Sequence, residues 1–146
     1  MASVPEQVYS IARTRPVLID ASIWIEAFRP GGDPIWRNTV YELLTAERAA
    51  VCEVVIAEVL RGARSDDERV LLAEELESTV VLSLAGAGMS AGQLALQLRR
   101  NGLSISTTDL LIAATAALHD AVLLHRDQHL TQAASVLGLE EYRLTD

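Results

Sequence analysis

The chain has 146 residues, half of them apolar, and a formal net charge of −8. That length suits one domain with a real core, while the apolar runs are broken by charge short of the roughly 18 residues that a membrane span needs, and no secretory signal is apparent. Every cation is arginine and no lysine occurs, which excludes Walker-type phosphate loops and Schiff-base chemistry; the acidic balance argues against a general basic coat for nucleic acid.

Residues 1–15 are mixed and polar and read as an N-terminal arm or lead-in helix, with one domain over 16–146. Val17-Leu18-Ile19 has the pattern of a buried parallel strand ending at Asp20. Ser22 can cap a helix over 23–28, stopped by Pro30-Gly31-Gly32. Glu26 lies on its polar side, where a solvated face is the simplest role. Asp33-Pro34 opens a second helix to about Ala46, with Trp36, Val40, Leu43 and Leu44 as its stripe; Trp36 reads as core or interface, and Glu42 as an exposed helical acid.

Residues 49–55 read as a second strand running into a helix over 56–62, with Gly62 as its C-cap. The single Cys52 sits in this apolar run and reads as core packing in a reducing, cytoplasmic compartment. Glu58 interrupts an otherwise apolar sequence, where a carboxylate is costly unless paired or holding a cation. Arg61, one turn on, offers an ion pair as the alternative to metal ligation. A helix over 65–76, a β-branched run over 79–82 and a helix over 87–100 follow, the last with Leu94, Leu96 and Leu98 and a basic end at Arg99-Arg100. Those arginines suit the helix dipole or a phosphate.

Residues 106–118 read as a helix opened by hydroxyls and Asp109 that then turns almost wholly apolar; Ser106 and Asp109 resemble a capping box. A strand over 121–124 leads into His125-Arg126-Asp127, Asp127 can cap a helix over 128–137, and Tyr142-Arg143-Leu144 suits an edge strand. His125 and His129 raise the question of a histidine-rich metal site, for which a third neutral ligand is lacking.

Strand and helix alternate, which calls for a parallel sheet wrapped by helices. Asp20, Glu58, Asp109 and Asp127 then fall toward one sheet edge. Four carboxylates together repel one another unless a cation is present. An oxygen-only set selects Mg²⁺ or Mn²⁺ rather than zinc, and metal-assisted hydrolysis of a phosphodiester is the natural chemistry. A phosphotransfer domain built on a strand-end Asp would need a lysine.

The four stretches Leu18-Ile19-Asp20-Ala21-Ser22, Val55-Ile56-Ala57-Glu58-Val59-Leu60-Arg61-Gly62, Thr108-Asp109-Leu110-Leu111-Ile112-Ala113-Ala114-Thr115-Ala116 and Leu123-Leu124-His125-Arg126-Asp127 resemble, in order, the acidic motifs of PIN-domain ribonucleases, in particular the VapC toxins of toxin–antitoxin modules. The resemblance implies a PIN-like doubly wound parallel sheet flanked by helices, Mg²⁺ or Mn²⁺ bound by Asp20, Glu58, Asp109 and Asp127, and endonucleolytic cleavage of RNA. It implies support of the metal shell by Ser22 and Thr108, a homodimer, and neutralisation by a VapB-like antitoxin. Given the net charge, RNA would be held by a local patch, for which Arg29, Arg61, Arg64, Arg99, Arg100 and Arg126 are candidates; the same arginines suit an acidic antitoxin segment. A PIN-like module that binds without catalysis is the alternative. The first acid stands further into the chain than is usual in that family, so the arm is an added element or a mis-assigned start. His125 stands where a hydroxyl residue is common.

Overall fold

Short apolar runs that alternate with amphipathic helices cannot satisfy their backbone alone, and here they pair into one parallel sheet. The computed structural model describes residues 15–144. Five strands, β1 (Val17–Ile19), β2 (Ala49–Cys52), β3 (Val80–Leu82), β4 (Val122–His125) and β5 (Glu141–Arg143), lie in the order β3-β2-β1-β4-β5. All neighbours are parallel, with Val17 opposite both Ala49 and Val122. The chain winds outward from β1 through β2 to β3, then crosses to the far side of β1 for β4 and β5. This is the doubly wound order, and its reversal between β1 and β4 opens a crevice at the carboxyl ends of those strands.

Among the described residues seven helices flank the sheet: α1 (Ala21–Phe28), α2 (Pro34–Thr45), α3 (Glu53–Arg61), α4 (Asp66–Leu76), α5 (Ala87–Arg100), α6 (Thr107–Leu118) and α7 (Gln128–Leu137). Strands β1, β2 and β4 are wholly buried, as expected of strands covered on both faces. The outer strands β3 and β5 are partly exposed. No helix among the described residues is long and apolar enough to cross a membrane. The expected N-terminal arm lies, but for Arg15, outside the described residues. Arg15 itself binds the Asp120 carbonyl at 2.8 Å and pairs with Glu140 at 2.9 Å, fastening the approach to β1 beside β4 and β5.

Trp24 anchors α1: it is fully buried, donates from Nε1 to the Ile19 carbonyl at 3.1 Å, and stacks on Phe28. Arg37 of α2 donates to the carbonyls of Ala27 and Arg29, so α2 satisfies groups left open by the end of α1. Gly32 is dictated by the same turn, because a Cβ there would stand 2.0 Å from the Glu26 carbonyl oxygen.

Several local expectations are corrected. Asp20, not Ser22, caps α1; its carboxylate accepts from the Ser22 amide and hydroxyl, so the helix starts at Ala21. Strand β2 stops at Cys52 because its partners run out there, Cys52 being the last residue in register with β3, and α3 starts at Glu53. Gly62 is the C-cap of α3 as expected, but at an ordinary right-handed φ of −76° rather than in the left-handed conformation. It is a point of close approach, where a Cβ would meet the Ile25 side chain at 2.8 Å. Leu96 is exposed while Leu94 and Leu98 are buried, since only the latter two share the inward face of α5. Glu26 is not solvated: its side chain is largely covered and pairs with Arg29 at 2.6 Å. His125 belongs to β4, being paired in register with Arg143.

Candidate functional site

Each of the four acids is delivered to the crevice by a different element. The Asp20 amide donates to the Leu124 carbonyl at 2.9 Å, which pins the residue to the junction of β1 and β4. Its carboxylate is buried and accepts a 2.7 Å hydrogen bond from the Ser22 hydroxyl. Asp127 follows β4 and caps α7, accepting from the His129 amide at 2.8 Å. Asp109 occupies the first turn of α6, where Ser106 is the cap and accepts from the Asp109 amide. Glu58 projects from the middle of α3.

All four carboxylates line one open cleft of about 510 Å³, together with Ser22, Ile25, Arg61 and Gly62. Burial raises the pKa of Glu58, and the charges of Asp20 and Asp109 raise it further, with only Arg61 opposing. Burial likewise raises Asp109, the Ser106 hydroxyl and His129 pull it down, and Asp127 and Asp20 push it up. These carboxylates repel one another, and Arg61 forms no ion pair with Glu58. The donor set suits a hard divalent cation, since its oxygens are anionic, converge on one cleft and lack a matching set of protein cations.

The histidines divide. His125 is completely buried; Nδ1 accepts from the Asp127 amide at 3.0 Å and Nε2 meets the Glu141 carboxylate, which also accepts from Thr131. Both ring nitrogens are engaged, so the histidine-rich metal site does not form. His129 instead lies beside Asp109 and Asp127, with one ligand atom of each residue within 4.8 Å of the others.

Among the candidate arginines, only Arg61 lines the cleft. Arg29 is held by Glu26, and Arg126 lies over the Trp36 ring at 4.4 Å, which also accounts for that buried tryptophan. Arg99 borders a separate small cavity with Ser104 and Leu110, and Arg64 and Arg100 are exposed elsewhere. Thr108 is half-buried and does not line the cleft. Ile25 and Gly62 are cleft residues with no chemical signature in sequence; only the packing of α1 on α3 brings them there.

Residues 17–136 match the PIN domain family model. The chain belongs to the PIN-domain family. It is 34% identical over 129 residues to the VapC ribonuclease Mb1587 of Mycobacterium bovis and, to the same extent, to ribonuclease VapC11 of Mycobacterium tuberculosis. Each match covers 85% of this chain and 96% of the relative. The fold is shared with VapBC2 from Rickettsia felis, whose structure is bound to a promoter DNA fragment, at a TM-score of 0.73 and 19% identity. That superposition covers 88% of this chain and 98% of the other. VapBC-5 from Mycobacterium tuberculosis aligns at a TM-score of 0.62 and 23% identity, covering 88% and 98%. The parallel sheet and flanking helices expected from the PIN-like motifs are therefore those of this PIN-domain chain.

Proposed function

We propose that this PIN-domain chain is a metal-dependent endoribonuclease, the toxin of a type II toxin–antitoxin pair, which hydrolyses RNA phosphodiester bonds in the four-carboxylate cleft. The observation that carries the reading is the convergence of Asp20, Glu58, Asp109 and Asp127 on one open cleft, with Glu58 and Asp109 raised in pKa by burial and mutual repulsion. The names of the VapC relatives support the same activity.

In this reading the four carboxylates hold Mg²⁺ or Mn²⁺. Bound there, the cation acidifies water and offsets charge on the phosphodiester. The Ser22 hydroxyl fixes the Asp20 carboxylate through its 2.7 Å bond, and Ser106 orients Asp109. Arg61, on the cleft wall, contacts the substrate phosphate, while Arg64, Arg99 and Arg100 extend the contact along RNA. Thr108 supports the turn that carries Asp109. The protein acts in the cytoplasm as a homodimer, and a VapB-like antitoxin neutralises it. VapBC complexes among the structural neighbours support that partner.

The test is RNA cleavage by partner-free protein with Mg²⁺, Mn²⁺ or chelator, beside Asp109→Asn. Cleavage that requires metal and vanishes in the variant is expected. Full activity in Asp109→Asn overturns the site, and failure both to bind either metal and to cut any of a varied RNA panel leaves the non-catalytic binding module.

A further inference from the structure

The three histidines are held in different ways. His125 is sealed in the core with both nitrogens bonded, and His119 Nε2 lies 2.9 Å from the Ser83 carbonyl oxygen. His129 is half-exposed in the first turn of α7, and its ring faces the cleft acids. Its Nδ1 is 3.7 Å from Asp127 Oδ1, beyond hydrogen-bond reach, so the ring is not locked onto that oxygen. Its amide, by contrast, is fixed to the same oxygen at 2.8 Å. The backbone is thereby anchored beside Asp127. Asp109, Asp127 and His129 each bring one ligand atom within 4.8 Å of the other two. Asp20 and Glu58 belong to the cleft but not to this group, and His129 stands beside two of the cleft acids without itself lining the cleft.

We propose that His129 supplies an imidazole nitrogen to the cation held by Asp109 and Asp127, and that this ligand makes the site prefer Mn²⁺ over Mg²⁺. The inference rests on the metal-dependent nuclease reading. Its chemistry is that of the donors: Mg²⁺ takes oxygen ligands in a strict octahedron and sheds water reluctantly, whereas imidazole favours first-row transition ions. His129 also stands two residues past Asp127, so the residue that caps α7 and the residue whose amide is capped both serve one ion.

Mn²⁺ and Mg²⁺ binding to the full chain, stripped of metal, would be measured by calorimetry, and Mn²⁺-loaded protein by pulsed electron paramagnetic resonance. The wild type is expected to show nitrogen hyperfine modulation on Mn²⁺. His129→Gln, which keeps the capped amide, is expected to lose that modulation and to bind Mn²⁺ roughly tenfold more weakly, with Mg²⁺ affinity little changed. Mn²⁺ bound in an Asp127-dependent way without nitrogen modulation, or equal loss of both metals in His129→Gln, overturns the role of His129 and leaves the carboxylate site standing. Absence of any Mn²⁺ binding to the wild type overturns the nuclease reading and this inference with it.

Discussion

Replacing Asp109 with Asn is expected to stabilise the cation-free protein while removing cleavage. A ligand atom of Asp109 lies within 4.8 Å of one on Asp127. At that separation two unit charges repel by about 0.9 kcal/mol in water and about 3.5 kcal/mol at an effective dielectric of about 20. The Asp127 side chain is 41% exposed, which places the relief nearer the lower figure. Asp20 adds a second repulsion. Against this stands the lost attraction of the Asp109 charge to the positive end of α6, about 0.3–1 kcal/mol. The balance favours Asn by at most about 1 kcal/mol, or up to about 2–4 °C in Tm for a chain of this size.

The effect has a definite pH direction. Glu58 and Asp109 have pKa values raised in the fold by burial and by neighbouring carboxylates. They therefore hold protons more tightly when folded than when unfolded. Cation-free wild type loses stability as pH rises from about 4, where the unfolded acids ionise, through the raised native values. The Asn variant lacks one of these acids and loses less. Melting curves in chelator between about pH 4 and pH 8 measure the difference. Mn²⁺ at a hundred times its Kd adds about 2.7 kcal/mol to a protein that binds it, so the metal reverses the ranking in favour of wild type. An Asn variant less stable than wild type in neutral chelator, or a wild type that gains nothing over the variant on adding Mn²⁺, refutes the reasoning that these carboxylates are a repelling, cation-binding set.

Gly32→Ala is expected to cost about 3 kcal/mol in urea unfolding, because its Cβ would collide with backbone that cannot swing aside. His125→Ala should cost a similar amount, about 3 kcal/mol, by leaving a cavity and stranding the Asp127 amide and the Glu141 carboxylate; calorimetric melting reads it. Arg61→Ala should raise KM for RNA more than it lowers kcat and reduce the salt slope of binding by about 1. Arg29→Ala, whose guanidinium is held by Glu26 away from the cleft wall, should leave that slope unchanged.

Elements whose ends carry local chemistry were legible in the chain. Helix α5 spans the expected 87–100, helix α7 the expected 128–137, and the apolar run Val17-Leu18-Ile19 is the central strand. Boundaries governed by tertiary pairing were not. Nothing in Val54-Val55 distinguishes strand from helix, and β2 ends at Cys52 only because β3 does not extend beside it. The choice between Asp20 and Ser22 as cap was hidden for another reason: both residue types cap helices, and adjacent positions decide by backbone geometry alone. Within the candidate site, acids in an apolar context stood out. The burial of Glu26 and the nearness of His129 to Asp109 did not, since the first depends on a salt bridge around a turn and the second on how α6 and α7 pack.

The helix-start positions of three cleft acids bear on how this chain tolerates change. Asp20 and Asp127 each close the open end of a helix, and Asp109 sits in the first turn of a third. Asn serves such ends about as well as Asp. A single step from Asp to Asn at any of them therefore removes a charge from the cleft while keeping the architecture that presents it. Loss of the cleft charge is thus separable from loss of the fold, so one substitution can alter the acidic cleft and still leave an intact scaffold.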